Sequence, residues 1–184
     1  MAKPPPPEDK RDLFSASLLH PVPISPNFVI RPLRRDDFDR GYMKLLAQLT
    51  SVGKVTKEQF ERRFDELQQT PGIYYIIVVE DVFSKNVVGS GTLVIEPKFI
   101  HNCGKSGHLE DIVVDSEHRG NQLGRYIIEQ LKLIAHHAGC YKCLLDCSEK
   151  NVNFYEKCDF AVKDLQMVHY FTTNASRSAV RSRL

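Results

Sequence analysis

Excess charge of either sign is nearly absent from this sequence: 25 Lys and Arg stand against 23 Asp and Glu, a formal net charge of +2. That excludes a global field for nucleic acid or other polyanions. No cluster interleaves aromatic with basic side chains, the pattern that single-stranded nucleic acid needs. No apolar run approaches the length that spans a bilayer. The opening "MAKPPPPEDKRD" lacks the apolar segment of a secretory signal. Cysteines are few and odd in number, five in all, which favours reduced thiols in a cytoplasmic protein over a disulfide framework. No internal repeat is visible.

What is present is a chain of 184 residues, 42% apolar and 26% charged. That is enough for one domain with a substantial core. Residues 1–26 read as a proline-rich flexible leader, because Pro4 to Pro7 cannot be helical. "DLFSASLLH", from Asp12, could pack as an arm, but a solvated leader is the reading adopted. Residues 27–171 form the domain. Residues 172–184 are polar, small and basic, and are expected to be disordered. Their last three, Ser182-Arg183-Leu184, are similar to a peroxisomal address, the alternative to a cytoplasmic location.

Within the domain, "NFVIRPL" predicts a strand. Phe38, Tyr42, Leu45, Leu46 and Leu49 then recur at helical spacing, with Asp36 or Asp37 as N-cap. "TKEQ" at Thr56 is a capping box opening a second helix that carries Phe60, Phe64 and Leu67 on one face. Ile73–Asp81 and Val87–Ile100 predict a hairpin, and "HLEDIVVD" the next strand. A long helix follows from about Gly120 to His137, then a buried strand over Tyr141–Ser148 and a short helix over Asn151–Cys158. "FAV" and "LQMVHYF" supply the last strand material. The fold class is α+β (mixed α/β): a mixed sheet with helices on both faces. The unit from Glu110 to Cys147 is a parallel βαβ crossover, so a ligand is expected at its carboxyl edge.

The head of the long helix is the most telling stretch. "RGNQLG", Arg119 to Gly124, sets two glycines where a helix begins, and Arg119 and Arg125 add positive charge. Unpaired N–H groups and the helix dipole favour an anion there, and bare backbone lets it approach. The pattern is neither a nucleoside-triphosphate loop, which ends Gly-Lys-Ser/Thr, nor a Gly-x-Gly-x-x-Gly dinucleotide fingerprint. It resembles the acyl-CoA motif Gln/Arg-x-x-Gly-x-Gly/Ala of the GNAT acetyltransferases. Arg119 and Gly124 match, and Gln122 stands in place of the first motif glycine.

Four further stretches, "KFIH", "GHLEDIVV", "GCYKCLLDCSEKN" and "NFYEKCDF", with "QLTSVG", resemble the glucosamine 6-phosphate N-acetyltransferases within that superfamily, over about Phe28 to Phe171. The resemblance implies a GNAT-like fold whose central, mostly antiparallel sheet has a splayed parallel strand pair holding acetyl-CoA. It implies a homodimer whose acceptor site is shared between subunits. It also implies N-acetylation of D-glucosamine 6-phosphate on the way to UDP-N-acetylglucosamine, without a metal. The alternatives are a GNAT enzyme for another small amine or peptide, or a non-catalytic CoA-binding module.

Residue roles follow from the match. Acetyl transfer to an amine needs a proton acceptor, oxyanion stabilisation, protonation of the leaving thiolate and positioning. Glu110 is the candidate base, with Asp111 beside it on the opposite strand face. Tyr155 would serve the thiolate, and Asp146 would position the amine. A bulge would free a backbone N–H near Ile112, Val113 or Val114 for the thioester oxygen. The cofactor would lie against Arg119, Gly120, Asn121, Gln122, Leu123, Gly124 and Arg125, with Tyr155, Glu156 and Lys157. The sugar phosphate would meet Thr50, Lys98, Phe99, Ile100, His101, Tyr141 and Lys142. Relatives that carry a phosphate-binding arginine in the last strand differ here, where the sequence reads "MVHYF". "CYKC", Cys140 to Cys143, has zinc spacing but lacks two further ligands, so structural thiols are expected.

Overall fold

The computed structural model describes residues 11–171. Five strands pair in the order β1-β2-β3-β4-β5: β1 Phe28–Pro32, β2 Tyr74–Asp81, β3 Val87–Pro97, β4 Lys105–Val114 and β5 Cys140–Leu145. The first four are antiparallel neighbours and β4–β5 is parallel. The helices are α1 Tyr42–Leu46, α2 Lys57–Gln68, α3 Ile100–Cys103, α4 Leu123–His137 and α5 Val152–Glu156. No helix among the described residues is long and apolar enough to cross a membrane.

Alternation along β2 divides the core in two. Tyr75, Ile77 and Val79 join Leu93, Leu109, Ile127 and Leu131 under α4. Ile76 and Val78 join Leu45, Phe60, Phe64 and Val113 under α1 and α2. The period-2 pattern of a strand buried on both faces therefore produces helices on both sides of the sheet. At α2 the predicted capping box forms: Gln59 N–H donates to Thr56 Oγ1 at 3.2 Å, and Thr56 N–H to Gln59 Oε1 at 2.8 Å.

Several expectations change. Neither Asp36 nor Asp37 caps α1; its N-cap is Gly41, at φ 85°. Asp37 is buried and accepts Arg31 Nη1 and Nη2 at 2.9 and 2.7 Å, so a buried ion pair takes the carboxylate that a cap would use. Part of the presumed leader is folded. Leu13 is buried, Leu13 N–H donates to Leu33 O, Asp12 pairs with Arg34, and Phe14 packs edge-on to Tyr75 at 5.1 Å. Pro4 to Pro7 and the Ser182-Arg183-Leu184 end lie outside the described residues. β5 is a half-exposed edge rather than a buried strand. The stretch 160–171 forms no strand among the described residues, and Val162, Leu165, Met167 and Phe171 are exposed.

Candidate active site

Site geometry begins with a bulge. Thr92 pairs with Glu110 and Ser90 with Val113, so Asp111 and Ile112 together oppose Gly91. Asp111 takes φ 52° to accommodate the extra residue. One inserted residue inverts the alternation beyond it. Accordingly Ile112 and Val114 pack toward α4, while Val113 joins the α1–α2 side. Gly91 makes room: a Cβ there would lie 2.7 Å from Ile112 Cδ1 and 2.6 Å from Ile127 Cγ2.

Pairing with β5 ends where the bulge begins. The last β4–β5 pair is Leu109 with Leu145, after which the strands diverge. The β5-facing edge of 110–114 is thereby released from the ladder, leaving backbone N–H groups for a ligand. Into the gap opens a cleft of about 330 Å³ whose walls include Glu110, Asp111, Ile112, Asp146 and Tyr155. Five sequence-derived candidates thus meet in one place. Asp111 shares the cleft with Glu110 instead of facing away, because its left-handed backbone at the bulge breaks strict alternation.

The carboxylates tune one another. Burial, then the charges of Asp111 and Asp146, push Glu110 above its ordinary range, with His108 opposing. A carboxylate so raised is a better proton acceptor than a free one. Burial, then the neighbouring thiols Cys147 and Cys158, raise Tyr155 above the ordinary phenol range, so its hydroxyl keeps its proton at neutral pH. Asp146 Oδ2 accepts from Gln166 Nε2 at 2.8 Å, a contact that the sequence did not announce. Leu49, Cys147, Lys150 and Asn151 also line the cleft and were not anticipated; Thr50 is adjacent to Leu49 in the chain but is not part of that wall.

The head of α4 follows the bulge by a few residues. Its N-cap is Gln122, at φ 58°, ψ 13°, and no side chain caps it. The left-handed conformation explains why a glycine suits this motif position. Gly124 lies against Phe154, whose Cζ would sit 3.2 Å from an added Cβ, and against Val114. Leu123 itself is buried beneath the head. Glu156 and Lys157 close α5 at its C-terminal end.

The remaining candidates form a second group. His101 and Tyr141 pack with tilted rings, centroids 4.2 Å apart and planes at 34°, and Lys142 Nζ sits 5.8 Å from the Tyr141 ring centre. Lys98 Nζ pairs with Glu96 at 2.6 Å. Phe99 and Ile100 are exposed around the left-handed turn at His101 and Asn102. Lys142 pairs with Ser106, four residues before Glu110 on β4, which is roughly 13 Å at about 3.3 Å per residue. None of this group lines the cleft at Glu110.

The cysteines are all free. The β4–β5 register skips Tyr141, so Cys140 and Cys143 both pack toward the α4 core. Burial pushes the Cys143 thiol up to about 11. No group of three or more His, Cys, Asp or Glu that could hold a metal ion occurs among the described residues.

Known proteins share this sequence pattern and fold. The acetyltransferase (GNAT) family model matches residues 38–160. Glucosamine 6-phosphate N-acetyltransferase 1 of Dictyostelium discoideum is 54% identical over 143 residues, which cover 78% of this chain and 90% of that protein. The chain belongs to the GNAT acetyltransferases, in the branch of the glucosamine 6-phosphate N-acetyltransferases. The crystal structure of the Arabidopsis thaliana glucosamine-6-phosphate N-acetyltransferase superposes with a TM-score of 0.77 at 46% identity, covering 79% of this chain and 99% of that one. A Trypanosoma brucei acetyltransferase superposes at 0.73 with 33% identity, covering 78% and 99%. The mixed sheet with one splayed parallel pair is therefore the GNAT fold that the sequence motifs implied.

Proposed function

We propose that this enzyme transfers the acetyl group of acetyl-CoA to the amine of D-glucosamine 6-phosphate, giving N-acetyl-D-glucosamine 6-phosphate for UDP-N-acetylglucosamine synthesis. The observation that carries the reading is the cleft itself. A raised carboxylate and a protonated tyrosine line one cleft where β4 and β5 part, and an uncapped helix head follows the bulge in the chain.

The helix head and its glycine backbone fit a pyrophosphate, and the split strands fit an extended acyl chain. Acetyl-CoA supplies the activated thioester. Glu110 accepts the proton that the ammonium group of the sugar must lose, directly or through water. The amine nitrogen then bonds to the carbonyl carbon. A released N–H of 112–114 donates to the carbonyl oxygen as it gains charge. Tyr155 gives its proton, or a hydrogen bond, to the sulfur as the C–S bond breaks, and the second proton that the nitrogen sheds as the amide forms replaces it through water. Asp146 holds the amine in line. Each of these groups acts where charge develops, which is what lowers a barrier.

Lys98, His101, Tyr141 and Lys142 suit a phosphate dianion. Their distance from Glu110 along β4 supports a homodimer in which one subunit's phosphate set serves its partner's cleft. The open β5 edge and the exposed apolar residues of 160–171 support the same arrangement. The cytoplasm is the proposed compartment; a fluorescent fusion with and without the last three residues tests it.

The deciding experiment is thiol release from acetyl-CoA across a panel of amines. Glucosamine 6-phosphate should be far better than glucosamine. Equal rates with both would remove the phosphate site from the proposal. Sedimentation should show a dimer at assay concentration, and an active monomer would overturn the shared site.

A further inference from the structure

Between the bulge and the head of α4 runs the segment 115–122, and one imidazole ties it down. His118 Nδ1 lies 3.2 Å from Asp115 Oδ1 on its own segment, and Nε2 lies 3.8 Å from Asp81 Oδ2 at the end of β2. β1 presents the Phe28 ring edge-on at 6.1 Å. We propose that His118, held between Asp115 and Asp81, is a positioning residue that fixes the helix head for the acetyl-CoA pyrophosphate. This rests on the reading of that head as the cofactor cradle.

The surrounding contacts make His118 the joint of the segment. Asp115 N–H continues the ladder to Val88 O, and Asp115 Oδ1 accepts Glu117 N–H at 2.9 Å. Gln48, just beyond α1, donates Nε2 to Asp115 Oδ2 at 2.7 Å and accepts Ser116 N–H at 2.9 Å. The His118 carbonyl accepts Asn121 Nδ2 at 3.0 Å, one residue before the N-cap of α4. Asp81 is itself fixed, since its Oδ1 caps the turn at Phe83 and Ser84. The ring therefore connects a rigid hairpin to the segment that delivers the helix head.

Protonation decides how many of these links hold. Both ring nitrogens face carboxylates, which accept and cannot donate. Only the imidazolium satisfies both. A neutral ring that donates to Asp115 turns a lone pair toward Asp81. Asp81 is kept ionised by its turn N–H groups and by His118. Burial disfavours the Asp115 charge, but the Glu117 N–H, His118 and Gln48 outweigh it and lower that carboxyl. Those two carboxylates are the charged groups facing the ring.

The test is steady-state kinetics of His118→Gln, Asp81→Asn and the double variant beside the wild type, with melting temperatures recorded. His118→Gln should raise the KM for acetyl-CoA roughly tenfold, the scale of a lost charged hydrogen bond. The kcat and the KM for the sugar phosphate should stay within about twofold. Asp81→Asn keeps the oxygen that caps the turn and should raise the same KM, which serves if His118→Gln fails to fold. The double variant should be no worse than His118→Gln alone, because both changes act through one link. An unchanged KM, or defects of the two variants that simply add, overturns the proposal. Gly124→Trp separates the two readings. If it still binds acetyl-CoA, the cradle itself fails; if it does not while His118→Gln binds normally, only the role of His118 fails.

Discussion

Gly91 sits directly beneath Ile112: a Cβ on Gly91 would come within 2.7 Å of the Ile112 Cδ1 atom. The bulge and the glycine are therefore one device. Ile112 reaches the α4 core only because the bulge has turned it there, and it fits only because position 91 has no side chain.

Gly91→Ala should consequently distort the bulge. The added methyl also meets Ile127 of α4, so neither neighbour can yield without moving core. Overpacking of this kind costs about 1–3 kcal/mol. Chemical denaturation should read that loss. The kcat should fall further than the stability loss explains at assay temperature, because the edge proposed to meet the thioester moves with the bulge. A variant as active as the wild type would show that the bulge is not part of the chemistry.

Gln122 should respond in the opposite sense. It holds φ 58° at the N-cap of α4, where a side chain costs about 1–2 kcal/mol. Gln122→Gly removes that strain and adds unfolded-state entropy worth about 0.5–1 kcal/mol. The balance is a small gain in melting temperature with acetyl-CoA binding intact or tighter. Calorimetric titration and thermal melts check both; a destabilised variant would mean that the Gln122 side chain makes compensating contacts in the cofactor-bound enzyme.

Glu110 links activity and stability with opposite signs. Burial and the charges of Asp111 and Asp146 raise its carboxyl above its ordinary value. The folded state therefore binds more proton than the unfolded state between that value and the raised one. Stability from this group is full below the window and is lost as pH rises through it. Glu110→Gln, which carries no charge, should melt higher than the wild type at neutral pH and match it more closely in acid. Its kcat should fall by about 100- to 10,000-fold, and the acid limb of the wild-type rate profile should vanish. A lower melting temperature at neutral pH would show that the charge is stabilised rather than strained.

How much of this was legible in the residues varies with range. The capping box at Thr56 and Gln59 is local, so the sequence states it outright. The Glu110, Asp146 and Tyr155 constellation was legible through motifs on three separate elements. The bulge had no local sign, because Asp111 is an ordinary residue forced to φ 52° by register across to Gly91. Asp37 looked like a cap because its partner, Arg31, belongs to a strand with its own pattern. The arm at Leu13 and Phe14 was masked by the prolines before it. "LQMVHYF" has strand chemistry, but chemistry alone does not make a strand: β5 keeps an open edge, and 160–171 stays unpaired among the described residues.

Tyr155 and Lys142 should fail in different ways. Tyr155 lines the cleft with Glu110, and in the proposed mechanism its hydroxyl acts only as sulfur gains charge. Tyr155→Phe should lower kcat by roughly ten- to ten-thousandfold while leaving acetyl-CoA affinity nearly unchanged, as removal of a transition-state interaction does. Lys142 instead lies beside Tyr141 in the group proposed for the phosphate. A phosphate is bound equally in ground and transition states, so Lys142→Ala should raise the KM for glucosamine 6-phosphate with a smaller effect on kcat. With unphosphorylated glucosamine the defect should shrink, because there is no phosphate to lose. Steady-state kinetics of both variants with both sugars separates the roles. Full turnover in Tyr155→Phe, with chemistry verified as rate-limiting by single-turnover measurement, removes the thiolate role. An equal defect with both sugars in Lys142→Ala makes that lysine structural and moves the phosphate ligand to Lys98 or His101.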